Sequence, residues 1–218
     1  MDVAIPIYDA FTALDAVGPY EVLSRVPGAR VRFIAAQPGA VTTDNGMLSV
    51  VAEASLDEVP APEVLVVPGG ISSSEVARDE AFVAWVRRAH ETSTWTTSVC
   101  AGALILGAAG ILDGLKATTH WLDYEELATY GARPTPQRVV EQGKVITSAG
   151  VSSGIDMALT LAARLAGDDV ARAIQLSIEY DPQPPFAAGS IATAGPHIEA
   201  MVRAAVAART ASSPARTV

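Results

Sequence analysis

Short apolar runs alternate with stretches of helical spacing along most of this chain, and that alternation restricts the fold more than any other feature. A strand that is apolar at every position has to be buried on both faces, which happens in parallel sheets covered by helices on each side. Residues 64–67, Val-Leu-Val-Val, form such a run and stop abruptly at Pro68-Gly69-Gly70. The other predicted strands are residues 3–7, 31–36, 96–99 and 145–148, with a shorter one at 48–52. Helical spacing covers residues 15–26, 101–109, 122–130, 153–165, 170–179 and 197–208. It also covers 79–91, where Phe82, Val83 and Val86 share one face and Arg87, Arg88 and Glu91 the other. No stretch reads as an interdomain linker. The expected architecture is a single α/β domain over residues 1–208, doubly wound, with a mostly parallel sheet and helices on both faces. Residues 209–218, Arg-Thr-Ala-Ser-Ser-Pro-Ala-Arg-Thr-Val, read as a flexible tail.

Half of the 218 residues are hydrophobic, enough for a large core and too many for a disordered chain. The 24 acidic residues outnumber the 15 basic ones, and the net charge of −9 disfavours binding to phosphate backbones. Cys100 stands alone, so no internal disulfide can form. One Cys and three scattered His make a poor metal site. The first residues carry Asp2 and Asp9 and no basic segment, unlike a secretory signal. The uncharged residues 96–112 are broken by Gly and Ser and fall short of the ~20 apolar residues that span a bilayer. These features predict a cytoplasmic protein with neither a nucleic-acid nor a membrane partner. Arg far outnumbers Lys and Ala is abundant, a bias typical of GC-rich bacterial genomes.

In open parallel sheets, ligands bind beyond the carboxyl ends of the strands where the winding reverses. Three such places carry unusual residues. Cys100 joins an apolar strand to an Ala/Gly-rich helix, a strand–turn–helix setting that can lift a nucleophile into a cleft. A helix N-terminus there would lower the thiol's pKa. A lone Cys in such a stretch is as readily an inert core residue. Gly69 and Gly70 could expose backbone N–H groups toward developing negative charge, or simply make a turn. Asp15, ahead of Gly18-Pro19, is either an acid of the site or a first-turn residue that favours the helix dipole. His120 could serve as base, ligand or core residue. His90 and His197 receive no chemical role.

The motifs LDAVGPYEVL, VLVVPGG, TSVCAGALILGAAGILDGLKATTHW and ITSAGVSSGIDMALTL identify the chain as similar to the ThiJ/PfpI superfamily. That resemblance spans residues 3 to about 180 and implies the flavodoxin-like, class I glutamine amidotransferase-like sandwich. Within the superfamily, the segment IQLSIEYDPQPPFAAGS also resembles the bacterial isonitrile hydratases. The resemblance implies a cofactor-independent, cysteine-dependent hydro-lyase with Cys100 as nucleophile and Asp15 as its acid partner, where many relatives place Glu. Gly69, Gly70 and Ala101 would form the backbone cradle. Ile71, His120, Trp121, Val151 and Phe186 would line the substrate pocket. It further implies a homodimer acting on a small molecule, and no metal. Ala101 departs from the Thr of the hydratase pattern and the His of the peptidases, so a Cys-His protease dyad is not expected at this position. Val151 replaces a bulkier Ile. Two alternatives accompany the hydratase reading. One is glyoxalase-type hydration of 2-oxoaldehydes with His120 moving the proton. The other is a redox or small-molecule sensor related to the N-terminal domains of AraC-type regulators.

Overall fold

The computed structural model describes residues 1–212, and its contacts divide the chain into a larger unit, residues 1–179, and a smaller one that begins at Tyr180. In the larger unit the strands are β1 (Asp2–Pro6), β2 (Arg30–Ala35), β3 (Gly39–Thr42), β4 (Ser49–Ala52), β5 (Ala54–Ser55), β6 (Val64–Val67), β7 (Trp95–Val99), β8 (Lys116–Ala117), β9 (Arg133–Pro134), β10 (Val139–Gln142) and β11 (Val145–Ser148). Its helices are α1 (Ala13–Leu23), α2 (Ser73–Val76), α3 (Glu80–Thr92), α4 (Gly102–Ala108), α5 (Tyr124–Thr129), α6 (Ser153–Ala166) and α7 (Asp168–Ser177).

Seven strands form the main sheet in the order β10-β11-β7-β6-β1-β2-β5. Every pairing is parallel except the edge pair β10–β11. The chain winds outward from β1 through β2 to β5, then returns to β1's other side at β6 and continues through β7 to β11. The winding reverses between β1 and β6, so the loops leaving β1, β6 and β7 open one crevice. All four residues of β6 are buried, as its uninterrupted apolar run required, and so are all four of β11. Helices α1, α6 and α7 pack together against one face, and α2, α3 and α5 gather around α4 on the other.

The predicted strands and helices all form, with ends shifted by a few residues. The additions are short. β3 and β4 make an antiparallel hairpin beside the main sheet, and its first strand, Gly-Ala-Val-Thr, is too small and too exposed to show an apolar pattern. β10 is half-exposed and pairs through a tight turn at Gly143, which has φ +60°. Helix α1 contains Pro19. A proline there lacks the N–H that would bond the Asp15 carbonyl, so the helix is loosened at the residue the site uses. Close packing of α6 depends on Gly154, where a Cβ would stand 3.0 Å from Val99 Cγ1 and 3.4 Å from Pro19 Cδ.

The smaller unit contains α8 (Ile191–Ala194) and α9 (Pro196–Ser212). Pro196 opens α9, where its missing N–H costs nothing, and Arg203 Nε donates to Glu199 Oε1 at 2.9 Å one turn away. The backbone of α9 continues to Ser212. The expected tail from residue 213 onward lies outside the described residues.

Candidate active site

Cys100 ends β7 with φ +55°, in the left-handed region that side chains other than glycine rarely occupy. Such a conformation costs about 1–3 kcal/mol and persists only where the surroundings fix it. Here they do. The Cys100 N–H donates to the carbonyls of Ser148 (3.1 Å) and Ala149 (2.9 Å). The Cys100 carbonyl accepts the Thr119 hydroxyl at 2.9 Å. The residue is 7% exposed, so the elbow presents a nearly enclosed thiol.

Asp15 lies in the first turn of α1 and is fully buried. A first-turn acid usually faces outward toward its own helix N–H groups. This one does not. Thr12, the residue that caps α1, gives its N–H to the Gly69 carbonyl (2.8 Å) and its hydroxyl to Asp44 Oδ2 (3.0 Å). Asp15 Oδ2 accepts the Gly69 N–H at 3.0 Å, and Oδ1 has no nitrogen or oxygen donor. The remaining neighbour is the Cys100 thiol. Burial pushes the carboxyl's pKa up to about 7, and the Gly69 N–H and the Cys100 thiol only partly counter it. A group with that value is close to half protonated at neutral pH.

The thiol moves in the direction opposite to the one expected from a helix N-terminus. Burial, with the Asp15 charge next, holds its pKa well above the ordinary range. The N–H groups of Val151 and Ala101 oppose that rise. They are too few to overcome desolvation, which penalises an isolated buried charge by several kcal/mol. Thiol and carboxyl therefore form a reluctant pair, each making the other harder to ionise.

The backbone cradle also differs in membership. The Gly69 N–H is committed to Asp15, and the Gly70 N–H donates to Ser73 Oγ at 2.8 Å. Neither faces the sulfur as a free donor. The Ala101 and Val151 N–H groups are the backbone donors that reach the thiol. Gly69 matters for another reason: a Cβ there would lie 2.6 Å from Ala101 N and 2.9 Å from Asp15 Oδ2. Its lack of a side chain lets the strand end sit directly between acid and nucleophile.

His120 and Trp121 follow Thr119 into the same neighbourhood. The His120 ring lies over Gly150, where a Cβ would be 2.9 Å from Cδ2, and stacks on Trp121 with centroids 5.6 Å apart. Burial lowers the His120 pKa. Ile71 is half-buried just beyond Gly70. Phe186 belongs to the smaller unit, where it is 78% exposed. Two groups escaped the sequence reading. Tyr8 is buried, donates to the Pro68 carbonyl at 2.8 Å and meets Ser73 Oγ at 3.0 Å. Asp123 has its pKa raised to about 6, by burial first and by Glu126 second, and its charge also reaches Cys100. The apolar periodicity of strand and helix could not flag either. His90 is accounted for by a 2.8 Å contact between its Nδ1 and Thr96 Oγ1. No group of three or more metal-binding side chains occurs among the described residues, and no described helix is long and apolar enough to cross a membrane.

A strained cysteine at a strand end, facing a buried acid in the crevice of a doubly wound sheet, defines a class of α/β proteins built around a reactive thiol. This chain belongs to the DJ-1/PfpI family, whose sequence profile matches residues 1–164. It is 39% identical to the isonitrile hydratase of Pseudomonas putida over 194 residues, 89% of this chain and 85% of that protein. The crystal structure of a ThiJ/PfpI family protein from Pseudomonas syringae superimposes with a TM-score of 0.91 at 39% identity, covering 96% of this chain and 87% of that one. A helix-turn-helix transcriptional regulator from Pseudomonas aeruginosa is 29% identical over 180 residues, 81% of this chain but 52% of the regulator.

Proposed function

We propose that this protein hydrates isonitriles, R–N≡C, to N-substituted formamides through a covalent adduct on Cys100. The observation that carries the reading is the Asp15–Cys100 pair: a buried carboxyl with a pKa of about 7 against a thiol that resists ionisation alone. The similarity to the Pseudomonas putida hydratase supports it. The regulator's activity is not carried over, because the match covers only half of that protein.

An isonitrile carbon becomes electrophilic once it is protonated. In the pair's one-proton form the thiol holds the proton; it passes by way of Asp15 to that carbon while the sulfur adds to it, giving the thioimidate Cys100 Sγ–CH=N–R and an ionised Asp15. The thiol pays no lasting ionisation cost, because its charge disappears in the new C–S bond. The Ala101 and Val151 N–H groups support the sulfur while it is anionic. Asp15 then takes a proton from water as the oxygen adds to the thioimidate carbon, and the imine nitrogen takes a proton from a second donor. When the C–S bond breaks, formamide leaves and sulfur and Asp15 again share one proton. Water is the only co-reactant. The reading includes a homodimer in the cytoplasm, with residues 1–208 as the catalytic domain.

Incubation with cyclohexyl isonitrile, following N-cyclohexylformamide, tests this. The wild type should turn over, Cys100→Ala should not, and Asp15→Asn should lose at least ~100-fold. An inactive wild type would refute the hydratase reading. Turnover of a 2-oxoaldehyde that depends on His120 but not on Asp15 would install the glyoxalase reading in its place.

A further inference from the structure

We propose that Asp123 is the second proton donor of this site, lending a proton to the imine nitrogen during hydration of the thioimidate and recovering it when formamide leaves. The inference rests on the hydratase reading and assigns a donor to the nitrogen, so that Asp15 need not serve as base and acid in the same addition.

Asp123 stands at the N-cap of α5, a position where a carboxylate normally accepts helix N–H groups. Its side chain accepts none of them. Its contact with His120 is an ion pair only when the ring is protonated. Asp123 Oδ2 is 4.0 Å from His120 Nδ1, and that nitrogen faces the Leu122 N–H at 3.4 Å, so the neutral ring carries its proton on Nε2. Burial shifts both groups toward their neutral forms, raising the pKa of the acid to about 6 and lowering that of the base. A half-buried carboxyl that neither caps its helix nor pairs with a cation has no structural role to explain it.

Its position ties it to the thiol. Thr119, four residues earlier, holds the Cys100 carbonyl, and His120 between them lies over Gly150. The next residue, Val151, gives its N–H to the sulfur. The Asp123 backbone N–H donates to the His120 carbonyl at 2.9 Å, which fixes the turn. From α2, Ser74 Oγ donates to Glu126 Oε2 at 2.9 Å and secures α5 one turn beyond. The charged or titratable groups seen to act on Asp123 itself are Glu126, His120 and the thiol. None is a fixed cation, so a proton on Asp123 has no competitor that would hold the group permanently ionised.

The proton balance accommodates such a group. Addition of water to Sγ–CH=N–R places oxygen on carbon, sends one proton to Asp15 and needs another on nitrogen, giving R–NH–CH(OH)–Sγ. Collapse breaks the C–S bond, and the hydroxyl proton returns to the lender as the C=O forms. Asp123 ends as it began.

The test separates the two half-reactions. Wild type, Asp123→Asn and Asp123→Ser are mixed with cyclohexyl isonitrile, quenched at intervals and weighed intact, while formamide is measured in parallel. The account expects adduct formation within about threefold of wild type, with formamide release slowed ~100-fold in both variants, so that adduct accumulates. Ser can cap α5 and guards against a folding artefact. Wild-type release in either folded variant overturns the inference and leaves the hydratase reading intact. Equal slowing of both half-reactions also overturns it, by making Asp123 structural. A wild type that forms neither adduct nor formamide overturns both.

Discussion

Replacing Asp15 with Asn should inactivate the protein and stabilise it at the same time. The carboxyl titrates near 3.8 in an unfolded chain and at about 7 in the fold. Its folded pKa is raised, and it is an acid, so the native state binds its proton more tightly. Below about pH 4 both states are protonated and the group contributes nothing. Between about pH 4 and 7 the unfolded state ionises first, and native stability falls as pH rises; above 7 the loss is complete. The interval corresponds to about 4 kcal/mol at ~1.36 kcal/mol per pH unit, and relaxation around the site brings the expected effect to about 2–4 kcal/mol. Asn keeps an oxygen for the Gly69 N–H and cannot ionise. Urea unfolding of both proteins from pH 4.5 to 8 should show curves that lie closest at the acid end, diverge up to about pH 7 and run parallel beyond it, with the Asp15→Asn variant the more stable. Parallel curves across that range would refute the reasoning that burial sets the Asp15 pKa.

Three further outcomes follow from the same geometry. Gly69→Ala drives a methyl against Ala101 N and Asp15 Oδ2; it should lower turnover at least tenfold and cost about 1–3 kcal/mol, read from rates and a melting curve. Thr119→Val removes the hydroxyl that holds the strained Cys100 carbonyl. It should cost about 1 kcal/mol in urea unfolding and reduce the rate of adduct formation. Iodoacetamide should label Cys100 slowly at pH 7 and faster as pH rises. Asp15→Asn should accelerate labelling at pH 8 severalfold, because one of the two leading causes of the raised thiol pKa is gone.

Much of the scaffold was legible because buried parallel strands are written as continuous apolar runs. Residues 64–67 and 145–148 emerge with their predicted ends. The strand Gly39–Thr42 and the edge strand Val139–Gln142 are half-exposed and carry no comparable pattern, whereas Ser49–Ala52 falls within the predicted 48–52. Cys100 could be singled out because strand–turn–helix junctions are local, and Asp15 because the motif around it resembles a known family. The free amides of the site were not legible. Whether Gly70 offers its N–H depends on Ser73, and Val151 reaches the sulfur only because β11 lies beside β7. The sign of the thiol shift depends on burial summed over the whole fold, which no local window contains. Asp123 falls inside a stretch of helical spacing and carries no local mark that sets it apart.

Peptide mapping of an acid-quenched reaction with cyclohexyl isonitrile, alongside formamide measurement, addresses the central claim most directly. The account predicts one isonitrile added to the peptide containing Cys100, formed and consumed at rates compatible with turnover, and neither adduct nor formamide in Cys100→Ala. Formamide production that persists in Cys100→Ala would contradict it.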